Sequence, residues 1–280
     1  MNGYATLRRV YVRPPVEESL GSWEAFGWHR PPDRRSIERE HQVFRDRLAE
    51  TGAEVVTGVT QVPGDPDAIY AYDPVLVVDD GAILLRPGKE GRRAEPEAVA
   101  LDLRASGVPV LATLEAPATA EGGDIVFLDE ATLLVGMGHR TNGAGVEQLA
   151  SILQPRGITV HRFDLPFHRG PDACLHLMSL LSPLDADLVV AYPPMMPVRL
   201  VQLLERRRIR TVEVPDEEFP TMGPNVLALG PRIALALEGN PETRRRMEAE
   251  GVEVRGYSGE EVSLNGDGGP TCLTRPLLRG

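Results

Sequence analysis

A cysteine near the carboxyl end of the chain is the first candidate for chemistry. The stretch NGDGGPTCLTRPL places Cys272 after a glycine-rich turn, where backbone amides can approach a ligand closely. A thiol that projects from such a loop can react as its thiolate. The alternative is a buried packing residue, since cysteine is among the most buried residue types.

His176 is the second candidate, in the apolar stretch DACLHLMSLL, which predicts a strand. A cysteine nucleophile needs an acid and base with a pKa near the working pH, and histidine suits this best. The alternative is a hydrogen-bonded core histidine. Cys174 would share the strand face of His176, and we interpret it as a packing residue, with a disulfide to Cys272 as the lesser alternative.

Three acidic residues could hold a cation or orient the histidine. Glu121 opens EGGDIVF, where two glycines leave room around the carboxylate, and such a group can orient an imidazole. Asp67 and Asp73 flank the apolar part of DPDAIYAYDPVLV. The alternatives are a solvated loop acid for Glu121 and turn caps for the two aspartates.

Two arginines follow turns and could offer a fork of donors to a carboxylate. Arg92 comes after RPGKEG, and Arg140 ends GMGHR. Surface salt bridges are the alternative for both. Two cysteines without a CxxC spacing argue against a structural zinc site, and we expect no metal and no cofactor.

The elements that must position these residues repeat along the chain. An amphipathic helix, a stop and a short strand recur five times, and the helix-to-strand joints fall near Gly52, Gly107, Gly157, Ile209 and Gly251. Glycine at a helix C-terminus favours a positive φ, and the joint at Ile209 departs from this pattern. Asn240 and Pro241 predict the start of the last helix.

Paired apolar runs follow most joints and predict buried strand pairs. They are 74–78 with 82–85, 125–128 with 132–135, and 226–229 with 233–237. The last unit lacks its second run, which residues 7–12 could supply from the other terminus. That arrangement predicts a closed ring within a single domain spanning 1–280, and open α/β alternation is the alternative. Residues 14–33 predict a lid or a long loop.

Composition narrows the class of partner. The chain has 42% apolar residues and no apolar run near the roughly 20 residues of a membrane span, so no membrane segment is predicted. Its start carries no apolar secretion signal, and we expect a cytoplasmic protein. A net charge of −11 argues against nucleic acid and favours a small cationic ligand. The oligomeric state is open, with a homodimer as one alternative.

Taken in order, four segments resemble the guanidino-modifying (pentein) superfamily of dimethylarginine dimethylaminohydrolases, arginine deiminases and amidinotransferases. They are DAIYAYDPVLVVDDGAILLRPG, EGGDIVFLDEATLLVGMGHRTN, LHLMS and GGPTCLTRPL. The resemblance implies an α/β fold, a five-bladed ββαβ propeller with pseudo-fivefold symmetry and a central site.

By this resemblance the candidates acquire roles. Cys272 matches the nucleophile, His176 the acid and base, Glu121 the triad carboxylate and Asp73 the guanidinium-binding aspartate. The resemblance also makes Asp67 a binder of the substrate amino group. Arg92 and Arg140 match partners of the substrate carboxylate, and Trp23, Phe26 and Trp28 lie where relatives carry a lid.

The implied reaction converts Nω-methylated arginine into citrulline and an alkylamine through a covalent thiouronium. Met178 stands where arginine deiminases carry an acid, which favours a substituted guanidine because an unmet donor in a buried site is costly. Tyr72 replaces an acid common in relatives and leaves the amino-acid end of the substrate open. The alternatives are an arginine deiminase, an amidinotransferase, a ureido hydrolase and a non-catalytic binding protein.

Overall fold

The computed structural model describes residues 2–171, 173 and 175–280. Within these residues, fifteen strands form five sheets of three. The strands are β1 Leu7–Val12, β2 Glu54–Thr57, β3 Val75–Val78, β4 Gly81–Leu84, β5 Val110–Thr113, β6 Ile125–Asp129, β7 Thr132–Met137, β8 Thr159–Asp164, β9 Leu181–Asp185, β10 Leu188–Ala191, β11 Arg210–Glu213, β12 Leu227–Gly230, β13 Ile233–Leu237, β14 Glu253–Tyr257 and β15 Arg275–Arg279. The helices are α1 Glu17–Leu20, α2 Arg34–Ala49, α3 Glu95–Ala105, α4 Gly143–Leu153, α5 Val198–Arg206 and α6 Pro241–Ala249.

All five sheets share one plan. In the sheet β3-β4-β5, the first two strands form an antiparallel hairpin, and the third runs parallel to the second after helix α3. The sheets β6-β7-β8, β9-β10-β11 and β12-β13-β14 repeat this order with helices α4, α5 and α6. The repeat predicted from the sequence is therefore present as an α/β unit.

The fifth sheet joins the two ends of the chain. Strand β1 lies between β15, to which it is antiparallel, and β2, to which it is parallel. The prediction that residues 7–12 complete the last unit is confirmed. Burial explains the pairing, because β1 places Leu7, Val10 and Val12 in the apolar core.

The joints between helix and strand have the backbone expected of a helix C-terminus. Gly52, Gly107, Gly157 and Gly251 have φ of +81°, +79°, +74° and +81°. At the fifth joint Arg208 takes the left-handed conformation, with φ of +57°. The departure near Ile209 is therefore a change of residue type and not of geometry.

Three local predictions need correction. His176 does not lie in a strand but caps a short 3₁₀ turn at Leu177–Ser179, before β9. The hairpin of β9 and β10 was not among the predicted strand pairs, although it completes the third sheet. The segment 14–33 is not wholly irregular, because it contains the one-turn helix α1.

The first strands of all five sheets come together around one small cavity. Its volume is about 30 Å³, and each such strand contributes at least one lining residue, among them Val77, Phe127, Pro183, Ala228 and Pro276. The segments that lead into these strands therefore converge. No helix in the described parts of the chain is long and apolar enough to span a bilayer.

Candidate active site

Each repeat contributes one polar or nucleophilic residue from an equivalent position. Asp73, Glu121, His176, Asn225 and Cys272 all lie two to five residues before the first strand of their own sheets. Because those strands converge, their preceding segments meet at one end of the fold. The repeat thus builds a site from five residues that are distant in sequence.

Glu121 and His176 form a buried hydrogen-bonded pair. His176 Nε2 lies 2.8 Å from Glu121 Oε2, and Glu121 is fully buried. The backbone N–H of Lys89 donates to Glu121 Oε1 at 3.1 Å, and Arg140 Nη1 lies 3.5 Å from the same oxygen. Burial alone would raise the pKa of Glu121, but the hydrogen bond from His176 and the charges of His176 and Arg140 hold it below its usual value. The ionised carboxylate therefore orients the imidazole.

The EGGD motif leaves just enough room for the imidazole. A Cβ on Gly123 would lie 2.3 Å from His176 Nδ1, and one on Gly122 would lie 2.0 Å from the carbonyl oxygen of Tyr72. Asp124 accepts hydrogen bonds from the Leu177 backbone N–H at 3.0 Å and the Thr141 hydroxyl at 2.6 Å. Asp124 thereby ties the start of β6 to the turn that carries His176.

Cys272 is half-buried on the loop before β15 and is held by Asn225. Asn225 Nδ2 donates to Cys272 Sγ at 3.4 Å, and Asn225 Oδ1 accepts from the Thr271 N–H at 3.2 Å. The glycines before Cys272 make room for neighbouring side chains: a Cβ on Gly268 would lie 2.1 Å from the Tyr70 ring, and one on Gly269 would lie 2.5 Å from Asn225 Oδ1. Gly266 and Gly268 also line the cavity that holds Cys272, so the interpretation that this turn lets a ligand approach closely stays a prediction.

A cavity of about 270 Å³ connects these groups. Its lining includes Cys272, His176, Asp73, Asn225 and Met178. The structure thus brings Cys272, His176 and Glu121 together, while their catalytic roles stay predictions. Cys174 lies outside the described residues, so its predicted packing is not described.

Asp73 is buried beside the Glu121–His176 pair. Its Oδ1 accepts from the Gly123 N–H at 2.8 Å, and its Oδ2 accepts from Arg92 Nη1 at 2.6 Å. Ligand-capable atoms of Asp73, Glu121 and His176 lie within 4.8 Å of one another. A carboxylate that lines the same cavity as a thiol, as Asp73 does, can receive a flat cation with several N–H donors.

Arg92 is engaged by internal partners. Its Nε and Nη2 donate to Glu95 at 2.5 and 2.9 Å, its Nη1 donates to Asp73, and its Nη2 also reaches the carbonyl oxygen of Tyr70 at 3.2 Å. Arg92 is 3% exposed. This geometry argues against a fork for a substrate carboxylate and favours a role in holding Asp73. Arg140, which also lines the cavity, stays the better candidate for that carboxylate.

Asp67 is also engaged within the protein. Trp28 Nε1 donates to its Oδ1 at 2.8 Å, and Lys89 Nζ donates to its Oδ2 at 2.6 Å. Of the proposed lid residues, Phe26 lines the cavity, whereas Trp28 is buried and Trp23 packs against the core.

Tyr72 and Met178 both line the small cavity at which the first strands converge. The Tyr72 ring lies under the Arg275 guanidinium, 3.5 Å from ring centroid to Cζ, and does not line the larger cavity. Met178 is 5% exposed and contributes to both cavities. Tyr72 therefore has no direct place beside a substrate in this cavity, while Met178 does.

Sequence reasoning missed Asn225 and Lys89. Asn225 could have been found from its position before the first strand of its unit. Lys89 carries a simpler signal, because it is the chain's single lysine among 29 arginines.

Comparisons with known proteins identify relatives of this chain. A family model described as arginine deiminase matches residues 66–208. The dimethylarginine dimethylaminohydrolase of Pseudomonas aeruginosa is 27% identical over 271 residues, covering 96% of this chain and 98% of that protein. The enzyme of the same name from Streptomyces coelicolor is 32% identical over 210 residues, covering 75% of this chain and 74% of that protein.

A solved structure of a P. aeruginosa dimethylarginine dimethylaminohydrolase mutant complexed with citrulline shares the fold. Its TM-score is 0.80 at 24% identity, with 98% of this chain and 100% of that chain covered. The chain therefore belongs to the family of arginine deiminases and dimethylarginine dimethylaminohydrolases, and it is a hydrolase that acts on carbon–nitrogen bonds of linear amidines.

Proposed function

We propose that this enzyme hydrolyses Nω-methylated arginine to citrulline and an alkylamine, with Cys272 as nucleophile. The observation that carries the proposal is a single cavity lined by the Cys272 thiol, the Asp73 carboxylate and a histidine that is hydrogen-bonded to Glu121. A guanidinium is a poor electrophile, and two carboxylates can hold its charge while its carbon is attacked.

In the first half of the reaction, the Cys272 thiolate attacks the guanidinium carbon and a carbon–sulfur bond forms. The carbon–nitrogen bond to the alkylamine then breaks as His176 gives its proton to the departing nitrogen. A covalent thiouronium remains on Cys272. Glu121 stabilises the protonated imidazole before this transfer, because its carboxylate accepts from Nε2 at 2.8 Å.

In the second half, neutral His176 takes a proton from water, and the hydroxide attacks the thiouronium carbon. The carbon–sulfur bond breaks, citrulline is released and the thiolate returns. His176 is then protonated again. The proton that the added hydroxyl loses as the citrulline carbonyl forms passes to solvent, and it balances the proton that the released alkylamine takes up there. The step needs neither metal nor oxidant.

Met178 supports a substituted guanidine as substrate. Met178 lines the cavity and is 5% exposed, and its side chain offers the N–H donors of an unsubstituted guanidinium only a weak acceptor. Methyl groups can pack there without leaving a donor unsatisfied, whereas a lost hydrogen bond in a buried site costs about 1–3 kcal/mol. Methylated arginine should therefore be preferred to arginine.

We also propose that the five sheets are blades of one pseudo-fivefold propeller and that residues 1–280 form a single domain. The support is the shared sheet order, the closing of the fifth sheet by β1 and the convergence of the first strands. The cytoplasmic location and a homodimer stay predictions.

The test is citrulline formation from asymmetric dimethylarginine, monomethylarginine and arginine in parallel, with Cys272→Ser as the control. We expect turnover of the methylated substrates that Cys272→Ser abolishes. Preference for arginine would refute the role of Met178. Citrulline absent from all three reactions, with amidine product on added glycine or ornithine, would establish amidino transfer instead.

A further inference from the structure

Lys89 stands out by its chemistry and its place. It is the single lysine of a chain with 29 arginines, and it lies at the cavity that holds Cys272. Its side chain is 23% exposed. Its ammonium donates to the carbonyl oxygen of Phe26 at 2.7 Å and lies 4.8 Å from the centroid of the Phe26 ring. A compact ammonium fits these partners, whereas the flat fork of arginine has a different geometry.

The ammonium of Lys89 neutralises Asp67. Asp67 is 6% exposed, and both of its carboxylate oxygens accept hydrogen bonds, one from Trp28 and the other from Lys89. Arg92 Nε adds a second positive charge 3.9 Å from Asp67 Oδ2. Because two positive charges already lie beside Asp67, its carboxylate attracts the ammonium of a substrate only weakly.

The other charged groups that line the cavity with Lys89 favour a bound anion. Arg140 and Arg169 line the cavity together with Lys89. Beyond Asp67 and Asp73, the described acidic lining includes Asp267, which is half-exposed and lies 2.9 Å from His29 Nε2. A substrate ammonium would therefore meet repulsion from Lys89 and only a solvated acid in return. A substrate carboxylate would meet cations.

We propose that Lys89 takes the place of a substrate ammonium on Asp67, so that the enzyme prefers a methylated guanidino acid whose tail has a carboxylate but no free α-ammonium. Two sources share this chemistry, the desamino acid and the Nα-acylated amino acid. The inference rests on the proposed guanidine hydrolysis and refines its substrate. Lys89 is then a specificity-determining residue at the tail end of the site.

The test compares three probes that differ only at the α-carbon: asymmetric dimethylarginine, its Nα-acetyl derivative and 5-(Nω,Nω-dimethylguanidino)pentanoate. For wild type, we expect kcat/KM to be at least about tenfold higher for one or both probes without the ammonium. Lys89→Met keeps an apolar stem of similar length and frees Asp67. This variant should reduce the preference at least about tenfold, because its kcat/KM for asymmetric dimethylarginine should rise. Arg93→Met, an exposed change on the same segment that does not line the cavity, should leave the preference unaltered.

Binding of the same probes to Cys272→Ser and to Cys272→Ser/Lys89→Met separates this inference from the reaction. Tighter binding of the tails without ammonium, lost with Lys89→Met, supports it even if no probe is turned over, in which case only the proposed function fails. Tighter binding of asymmetric dimethylarginine to the lysine-containing protein would overturn the inference and leave hydrolysis intact. The same holds if the preference is unchanged by Lys89→Met. Rejection of the desamino acid with acceptance of the acetyl derivative would identify an acylated amino acid.

Discussion

Replacing Gly123 by alanine should displace His176, the proposed acid and base, without removing any polar group. An ideal Cβ at position 123 would lie 2.3 Å from His176 Nδ1, 2.7 Å from Cγ and 2.9 Å from Cε1. Ordinary contact begins at 3.4 Å, so the ring must retreat by about 1 Å. The backbone at Gly123 lies outside the left-handed region, so the contact alone produces the strain.

The displacement of His176 should break its hydrogen bond to Glu121. The imidazole cannot retreat by 1 Å and keep its 2.8 Å hydrogen bond to Glu121. A misplacement of about 1 Å at a reacting group can cost about a hundredfold in rate. We therefore expect kcat of Gly123→Ala to fall about a hundredfold with a smaller change in KM. Overpacking of the site should lower the free energy of unfolding by about 1–3 kcal/mol.

The assay is steady-state turnover together with urea unfolding. Gly138→Ala is the matched control, because its Cβ would be 3.7 Å from the nearest atom, a side-chain carbon of Leu165. It should retain wild-type kcat. A folded Gly123→Ala enzyme with kcat within about threefold of wild type would refute the placement of His176 against this glycine.

Three further changes test other contacts. Glu121→Gln keeps the shape of the side chain but removes its charge, and kcat should fall at least about a hundredfold; near-normal turnover would exclude Glu121 as the group that charges the imidazole. Asn225→Ala removes the donor to Cys272 Sγ, and alkylation of the thiol by iodoacetamide at neutral pH should slow about tenfold, whereas an unchanged rate would mean that Asn225 does not hold the thiolate. Burial of His41 lowers its pKa to about 4 from 6.5, so the unfolded chain binds a proton that the folded protein resists. The free energy of unfolding, measured with urea, should therefore fall by about 3 kcal/mol as the pH falls from 6.5 to 4. The free energy of unfolding of His41→Leu should fall by correspondingly less over the same range. Equal decreases in the two proteins would contradict this account.

Much of the architecture could be predicted because it follows from local signals repeated five times. Gly52 and its counterparts mark helix ends through the cost of a Cβ at positive φ, and β1 was recognisable as the run missing from the last unit. Arg208 shows the limit of this signal. Its left-handed backbone is imposed by the fold and not by glycine.

Contacts across the site could not be read from single motifs. The sequence predicted a strand around His176 because the residues that follow it are apolar. In the structure these residues form a short turn and pack into the core, and a run of buried apolar residues does not distinguish a turn from a strand. The partners of Arg92 include Asp73 and the Tyr70 carbonyl oxygen, which a separate segment supplies, so the sequence left both a surface salt bridge and a substrate fork open. The family resemblance supplied roles for matching residues, but Lys89 has no such match and emerged only from its contact with Asp67.

The most direct test of the central claim is to trap the covalent intermediate. Wild-type enzyme turning over a methylated guanidino substrate would be quenched in acid, and its peptides analysed by mass spectrometry. The account predicts a thiouronium adduct on the peptide that contains Cys272, formed and lost at rates compatible with kcat and absent from Cys272→Ser. Turnover by Cys272→Ser at the wild-type rate, or an adduct on another residue, would contradict it.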